Sequence, residues 1–263
     1  MKGGLNSLVR AELRKLLRMR AMVVILAVVL VLLVYFWGQT VATVEGRIWP
    51  QTFLSPGGGM SNTLYLLSAL LGPIGGAVLG AVATGCEFSW RTWPMLLAQG
   101  TRRWRIVVGK WLALATVTTG IVGIASLMGW ILGLSSGRSG PGLWVGPTPA
   151  FLQFVISDLV LLFWTLCGSA VTFLSRSAST GIVAVGGGAV LMQAAYSVAW
   201  MRVALPAWNA LSILYVVFGA VARLRTPRFP WPFAQPLVGG AILLMYGLGL
   251  CGLALLRAMK ADE

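Results

Sequence analysis

Histidine is absent from these 263 residues, cysteine occurs three times and acidic residues six times. Without histidine the commonest general base and the commonest metal ligand are gone. Cys86, Cys167 and Cys251 stand singly at or inside apolar runs, without the paired spacing of a disulfide framework or a zinc knuckle. They read as small packing residues. An enzyme is hard to build from what remains, because Asp158 has no second carboxylate within an apolar run to share acid–base work. Charge of either sign makes up only 10% of the chain, against ~25% in a soluble domain.

Apolar residues supply 58% of the chain, and they fall in runs of the ~18 or more residues needed to cross a ~30 Å hydrocarbon core. The first, Ala21 to Trp37, ends in Tyr35, Phe36 and Trp37, which suit the membrane–water boundary. A cleavable signal peptide is the competing reading, but its apolar region would be ~7–15 residues behind a short basic stretch. Further spans are predicted at about Thr63 to Thr84, Ile106 to Leu134, Phe151 to Leu174, Thr180 to Leu205 and Leu237 to Arg257. Connectors rich in Gly, Pro and Ser separate them, such as Ser55-Pro56-Gly57-Gly58-Gly59 and Ser135 to Pro149. Pro206 to Ala222 is also apolar. Its early proline and the Pro-rich tail Pro227 to Pro236 favour a re-entrant hairpin over a further span.

The expected fold is therefore an all-α integral membrane protein, one transmembrane domain over residues 1–263. It has six transmembrane helices, an amphipathic interfacial helix in residues 1–20 and an external re-entrant segment in residues 206–236, between the fifth and sixth helices. A net charge of +14 would suggest nucleic acid in a soluble protein. Topology explains it better. With both termini in the cytoplasm, only Arg47, Arg138, Arg202, Arg223, Arg225 and Arg228 of the 20 basic residues lie outside, as the cytoplasmic bias of Lys and Arg requires. No nucleic-acid partner is expected. Of the 12 tryptophans, only Trp164 falls in mid-helix; the others sit where an amphipathic ring meets the headgroups.

Four groups of residues stand out. Leu5, Leu8, Val9, Leu13, Leu16 and Leu17 recur at helical spacing, with Arg10, Arg14, Lys15 and Arg18 opposite. This predicts a helix along the inner leaflet, basic side toward anionic headgroups, either a topology anchor or a coupling element. The stretch from Cys86 to Arg105 contains a short predicted helix: Thr92 caps it, Pro94 lies in its first turn and Gly100 ends it. Its apolar residues Met95, Leu96 and Leu97 form a candidate docking surface for a partner protein. Ser68, Gly72, Gly76, Gly80 and Thr84 follow strict four-residue spacing, which lets helix backbones approach closely, within the chain or between two copies. Asp158, the one acidic residue inside a predicted span, is a candidate for the translocation path; its alternatives are a hydrogen bond to Ser157 or a polar neighbour, or a pair with Arg202.

The order of these features resembles the permease subunits of ABC-2 type transporters: a basic amphipathic N-terminus, a span, Glu87, Trp90-Arg91-Thr92, Leu96-Leu97-Ala98, Thr101-Arg102-Arg103-Trp104-Arg105 and Gly109-Lys110. The resemblance implies that residues 85–105 are the coupling segment that contacts an ATP-binding subunit, with Glu87 at the family's acidic position where the second span ends. Arg91 stands where the family often has a Gly or a small polar residue. It also implies a second permease copy as partner, a re-entrant element before the last span, export across a bacterial inner membrane, and ATP with Mg held by the partner. Gly109-Lys110 is no phosphate loop, for Trp104 and Trp111 occupy the positions of the first glycine and the Ser or Thr. The chain itself is expected to hold no cofactor or metal and to have no catalytic residues. The rival reading is a non-transporting membrane anchor or sensor that recruits a cytoplasmic partner.

Overall fold

The amphipathic repeat at the N-terminus forms helix α1, Leu5–Arg18, which a one-residue break at Met19 separates from the long apolar α2, Arg20–Glu45. The computed structural model describes residues 5–45, 56–90, 103–135, 147–194 and 236–260, and every element among them is helical. The expected segments at 91–102 and 206–235, with Arg91, Thr92, Met95, Leu96, Leu97 and Arg202, lie outside the described residues.

The next apolar run is longer than the sequence suggested and is broken. It comprises α3 (Pro56–Tyr65), a π-helical turn (Leu66–Leu71) and α4 (Gly72–Ser89), with a 60° bend between its two arms. Two corrections follow. The connector Ser55 to Gly59 is largely the first turn of α3, and the single span expected at Thr63 to Thr84 is a bent pair. Pro73 explains the bend: it has no N–H for the carbonyl four residues back and crowds it, and a π turn absorbs the misfit. Gly59 has its own reason to be glycine, since an added side chain would meet the backbone of Gly129 and Gly133.

Helix α5 spans Arg103–Ser135 and α6 Pro147–Ser175. Arg176 ends α6 in the left-handed conformation, φ 58°, and Ser177 caps the short α7 (Ala178–Gly181) by accepting from the Thr180 N–H. A second π turn (Ile182–Gly187) leads to α8, Gly188–Ala194, and α9 covers Pro236–Lys260. Among the described residues four helices are long and apolar enough to cross a membrane, α2, α5, α6 and α9, and five spans result if the bent pair counts as one.

Helices α4 and α6 cross closely. A Cβ at Gly76 would stand 2.9 Å from Trp164 Cβ, and one at Gly80 would collide with the Thr165 carbonyl oxygen. Gly168 of α6 reciprocates against Ala77. The small-residue stripe Gly72, Gly76, Gly80 is thus turned toward α6 of the same chain. Around this crossing Leu33, Leu64, Leu67, Val122, Leu161 and Trp164 make the central core. A second cluster joins Leu16, Met19 and Met22 to Leu79, Ala83, Ala113 and Leu114, and a third joins Val107 to Phe173, Ala254 and Ala258. These two clusters bring α1, the last turns of α4, α6 and α9 and the first turns of α5 to one end of the bundle.

Candidate functional site

At that end four charged side chains from three helices meet in the interior. Glu87, in the last turn of α4, is fully buried. Its Oε1 accepts from Lys15 Nζ of α1 at 2.6 Å and lies 2.8 Å from Lys110 Nζ of α5. Lys110, only 3% exposed, also donates to Glu12 Oε2 of α1 at 3.2 Å and to the Ala83 carbonyl at 3.0 Å. Three acceptors surround an ammonium that has three N–H groups. Two positive and two negative charges balance, which is the condition under which charges persist away from water.

The local sequence explains how each arrives. On the wheel of α1, Glu12 falls between Leu8 and Leu16, inside the apolar arc, while Lys15 falls at its edge. When Leu8 packs over Gly109 and Leu16 becomes fully buried, both charged groups are carried inward. Lys15 accordingly leaves the face it was expected to share: Arg10, Arg14 and Arg18 are exposed, whereas Lys15 is half-buried against Glu87. The arc Leu8, Val9, Leu13 and Leu16 is turned to the bundle, and Leu5 and Leu17 stay exposed. Burial works to lower the Lys15 pKa, but its hydrogen bond to Glu87 and the charges of Glu87 and Glu12 outweigh burial, so the ammonium is held above its ordinary value.

The sequence assigned no role to Glu12, and it showed Lys110 only as part of the Gly109-Lys110 pair of the family resemblance. A signal for Glu12 was present: in a chain with six acidic residues, one lies within the apolar arc of an amphipathic helix. Lys110 was visible as a charge one turn inside an apolar run.

Beside the cluster a chain of neutral hydrogen bonds crosses three helices. Thr84 and Ser169 share a 2.7 Å bond, and Trp111 Nε1 donates to Ser169 Oγ at 3.1 Å. Farther along the bundle, Asp158 Oδ2 accepts from Thr119 Oγ1 at 2.9 Å while its Oδ1 is buried without a hydrogen-bond partner. Its polar partner is Thr119 of α5 and not Ser157, whose buried Oγ makes no hydrogen bond. One turn away Gln153 is fully buried and accepts from Ser61 Oγ at 2.8 Å. Among the described residues no group of His, Cys, Asp and Glu could hold a metal ion.

Residues 8–190 match the family model described as ABC-2 family transporter protein. The chain belongs to the ABC-2 transporter family. The match runs from α1 through α8 and so includes all four residues of the charged cluster and the segment between α4 and α5. Neither a curated protein nor a solved structure gives a significant match. This ABC-2 protein is a multi-pass, helical membrane permease, a component of a transporter, and its family implies an ATP-binding subunit as partner.

Proposed function

We propose that this ABC-2 protein is the membrane-spanning half of an ATP-driven exporter in a bacterial inner membrane. Two copies, each with six spans, a re-entrant 206–236 segment and both termini in the cytoplasm, join two ATP-binding subunits that carry ATP and Mg. Residues 85–105 receive the movement of the ATP-binding subunit, through Arg91, Thr92, Met95, Leu96 and Leu97, with Glu87 acting from inside the bundle. The exposed Arg10, Arg14 and Arg18 bind anionic headgroups. Asp158 lines the path of the cargo.

The observation that carries this reading is the family match over residues 8–190 together with the placement of Glu87 and Lys110. These two residues flank the segment 91–102 and are joined at 2.8 Å in the interior, a firm footing for a segment that takes load. Clustering of the basic residues of α1, α5 and α9 at that same end supports its being cytoplasmic.

The test is co-purification. The detergent-solubilised permease should retain a co-expressed ATP-binding subunit, and Leu96→Arg or Leu97→Arg should release it or uncouple its ATPase activity. Retention of both complex and activity in these variants would refute the coupling role.

A further inference from the structure

The charged cluster links more than the two ends of segment 91–102. Glu87 and Lys110 tie those ends to each other, and Lys15 and Glu12 tie both to α1. Lys110 serves two carboxylates and Glu87 two ammonium groups, so removing Lys110 takes the buried cation away from Glu12 at depth. Leu8 on Gly109 and Leu16 in its apolar cluster fasten the same three helices sterically. The end of α4, the start of α5 and α1 therefore form one body.

What that body can move is indicated by the neighbouring helix. α1 passes into α2 through the single residue Met19, and α2 exposes Val23, Val24, Val28, Val31, Val34 and Tyr35 along its length. Much of its surface is free of contacts with the rest of the chain, in contrast to α4, which is clamped to α6.

We propose that Glu12 and Lys110 are positioning residues that lock α1 to the start of α5, just after the coupling segment, so that a displacement of residues 91–102 is passed through α1 and the Met19 break to the span α2. The proposal rests on the coupling function proposed above. It assigns α1 a mechanical role, and assigns that role to two residues that touch neither cargo nor nucleotide.

The experiment uses the full chain in complex with its ATP-binding subunit, in proteoliposomes, with Cys86, Cys167 and Cys251 replaced by Ala. Spin labels are attached at Leu17→Cys on α1 and Arg105→Cys on α5, and in a second pair at Val31→Cys on α2 and Phe151→Cys on α6. Distances are read without nucleotide and after trapping with ATP and vanadate. The expected result is one unchanged α1–α5 distance in both states and a shifted α2–α6 distance. Lys110→Met should make the α1–α5 distance broad and state-dependent, and lower the stimulation of ATPase by the permease roughly fivefold or more. Glu12→Gln/Lys110→Met, which restores charge balance, should recover assembly and thermal stability but not the fixed distance. An α1–α5 distance that changes on trapping in the unmutated lock, or stays fixed in Lys110→Met, overturns the proposal while the ATP-binding subunit remains bound. Failure of the unmutated chain to retain that subunit overturns the coupling function itself.

Discussion

Glu12 of α1 and Lys110 of α5, 98 residues apart in sequence, meet at 3.2 Å with both side chains almost wholly removed from solvent. Neither charge would be tolerated there alone, since an isolated ion away from water costs several kcal/mol even after relaxation. The value of the pair lies in registry: it fixes which turn of α1 faces which turn of α5.

The energetic consequence is asymmetric. Lys110→Met deprives Glu12 and Glu87 of a shared cation at a site closed to water, and removal of one partner of a buried pair costs about 3–5 kcal/mol. Glu12→Leu/Lys110→Met removes the orphan on α1 and leaves Lys15 with Glu87, so the double variant should be more stable than Lys110→Met alone. Thermal unfolding of the detergent-solubilised protein, followed by tryptophan fluorescence, measures both. Equal losses in the two variants would show that the charges do not interact.

The hydroxyl of Ser169 answers two groups, Thr84 Oγ1 and Trp111 Nε1. In Ser169→Ala the threonine can turn to a carbonyl of its own helix, as Thr165 does with Leu161, but the indole N–H has no such recourse. The expected loss is about 1–2 kcal/mol, from one stranded donor. The same unfolding assay checks it, and Ser169→Thr, which keeps the hydroxyl, should lose less.

Close approach of α4 and α6 makes a different demand. At Gly80 an added Cβ meets backbone, the Thr165 carbonyl, which no rotamer change relieves. Gly80→Ala should therefore destabilise by at least about 1–3 kcal/mol. Gly120 on α5 has nothing within 4 Å of an added Cβ, and Gly120→Ala should gain up to about 1 kcal/mol from helix propensity. Opposite signs for one chemical change would locate the intrachain crossing.

Spans were legible because each is decided by a local property. The apolar run at Ile106 to Leu134 becomes α5, Arg103–Ser135, and that at Phe151 to Leu174 becomes α6, Pro147–Ser175. The bend at Gly72-Pro73 was legible in principle, since proline's missing N–H is a local fact, but hydropathy averages over it. The charged cluster was of another kind. Periodicity places Glu12 within an apolar arc without saying whether lipid or protein covers that arc, and its counter-charge lies on α5, beyond α2 and the bent pair. Lys15 sits at the edge of the same arc, where a small rotation of α1 decides between headgroups and Glu87. Only packing makes that choice.

The Lys15 ammonium has a pKa raised above its ordinary 10.5 by Glu87 and Glu12 against the opposing effect of burial. A group whose folded pKa is raised contributes stability that is fully present below its unfolded pKa, and that contribution is lost as pH climbs through the folded value. The stability difference between the native protein and Lys15→Met should therefore be constant from about pH 6 to 9 and shrink only at pH values above the lysine range. Paired unfolding curves over that interval test this, and a difference that already fades near neutral pH would show that Lys15 does not hold Glu87.

Asp158 separates a path-lining charge from a packing residue. Asn keeps an oxygen to accept from Thr119 Oγ1 and removes only the charge, so Asp158→Asn should hold its unfolding temperature while ATPase turnover of the reconstituted complex changes roughly fivefold. A carboxylate that merely fills space would behave in the opposite way: Asp158→Leu would raise the unfolding temperature, since an ionisable group among apolar spans is costly, and both variants would hydrolyse ATP at the native rate. Measuring both quantities on both variants distinguishes the two roles, because charge and shape are altered separately. Retained turnover in Asp158→Asn would remove Asp158 from the translocation path.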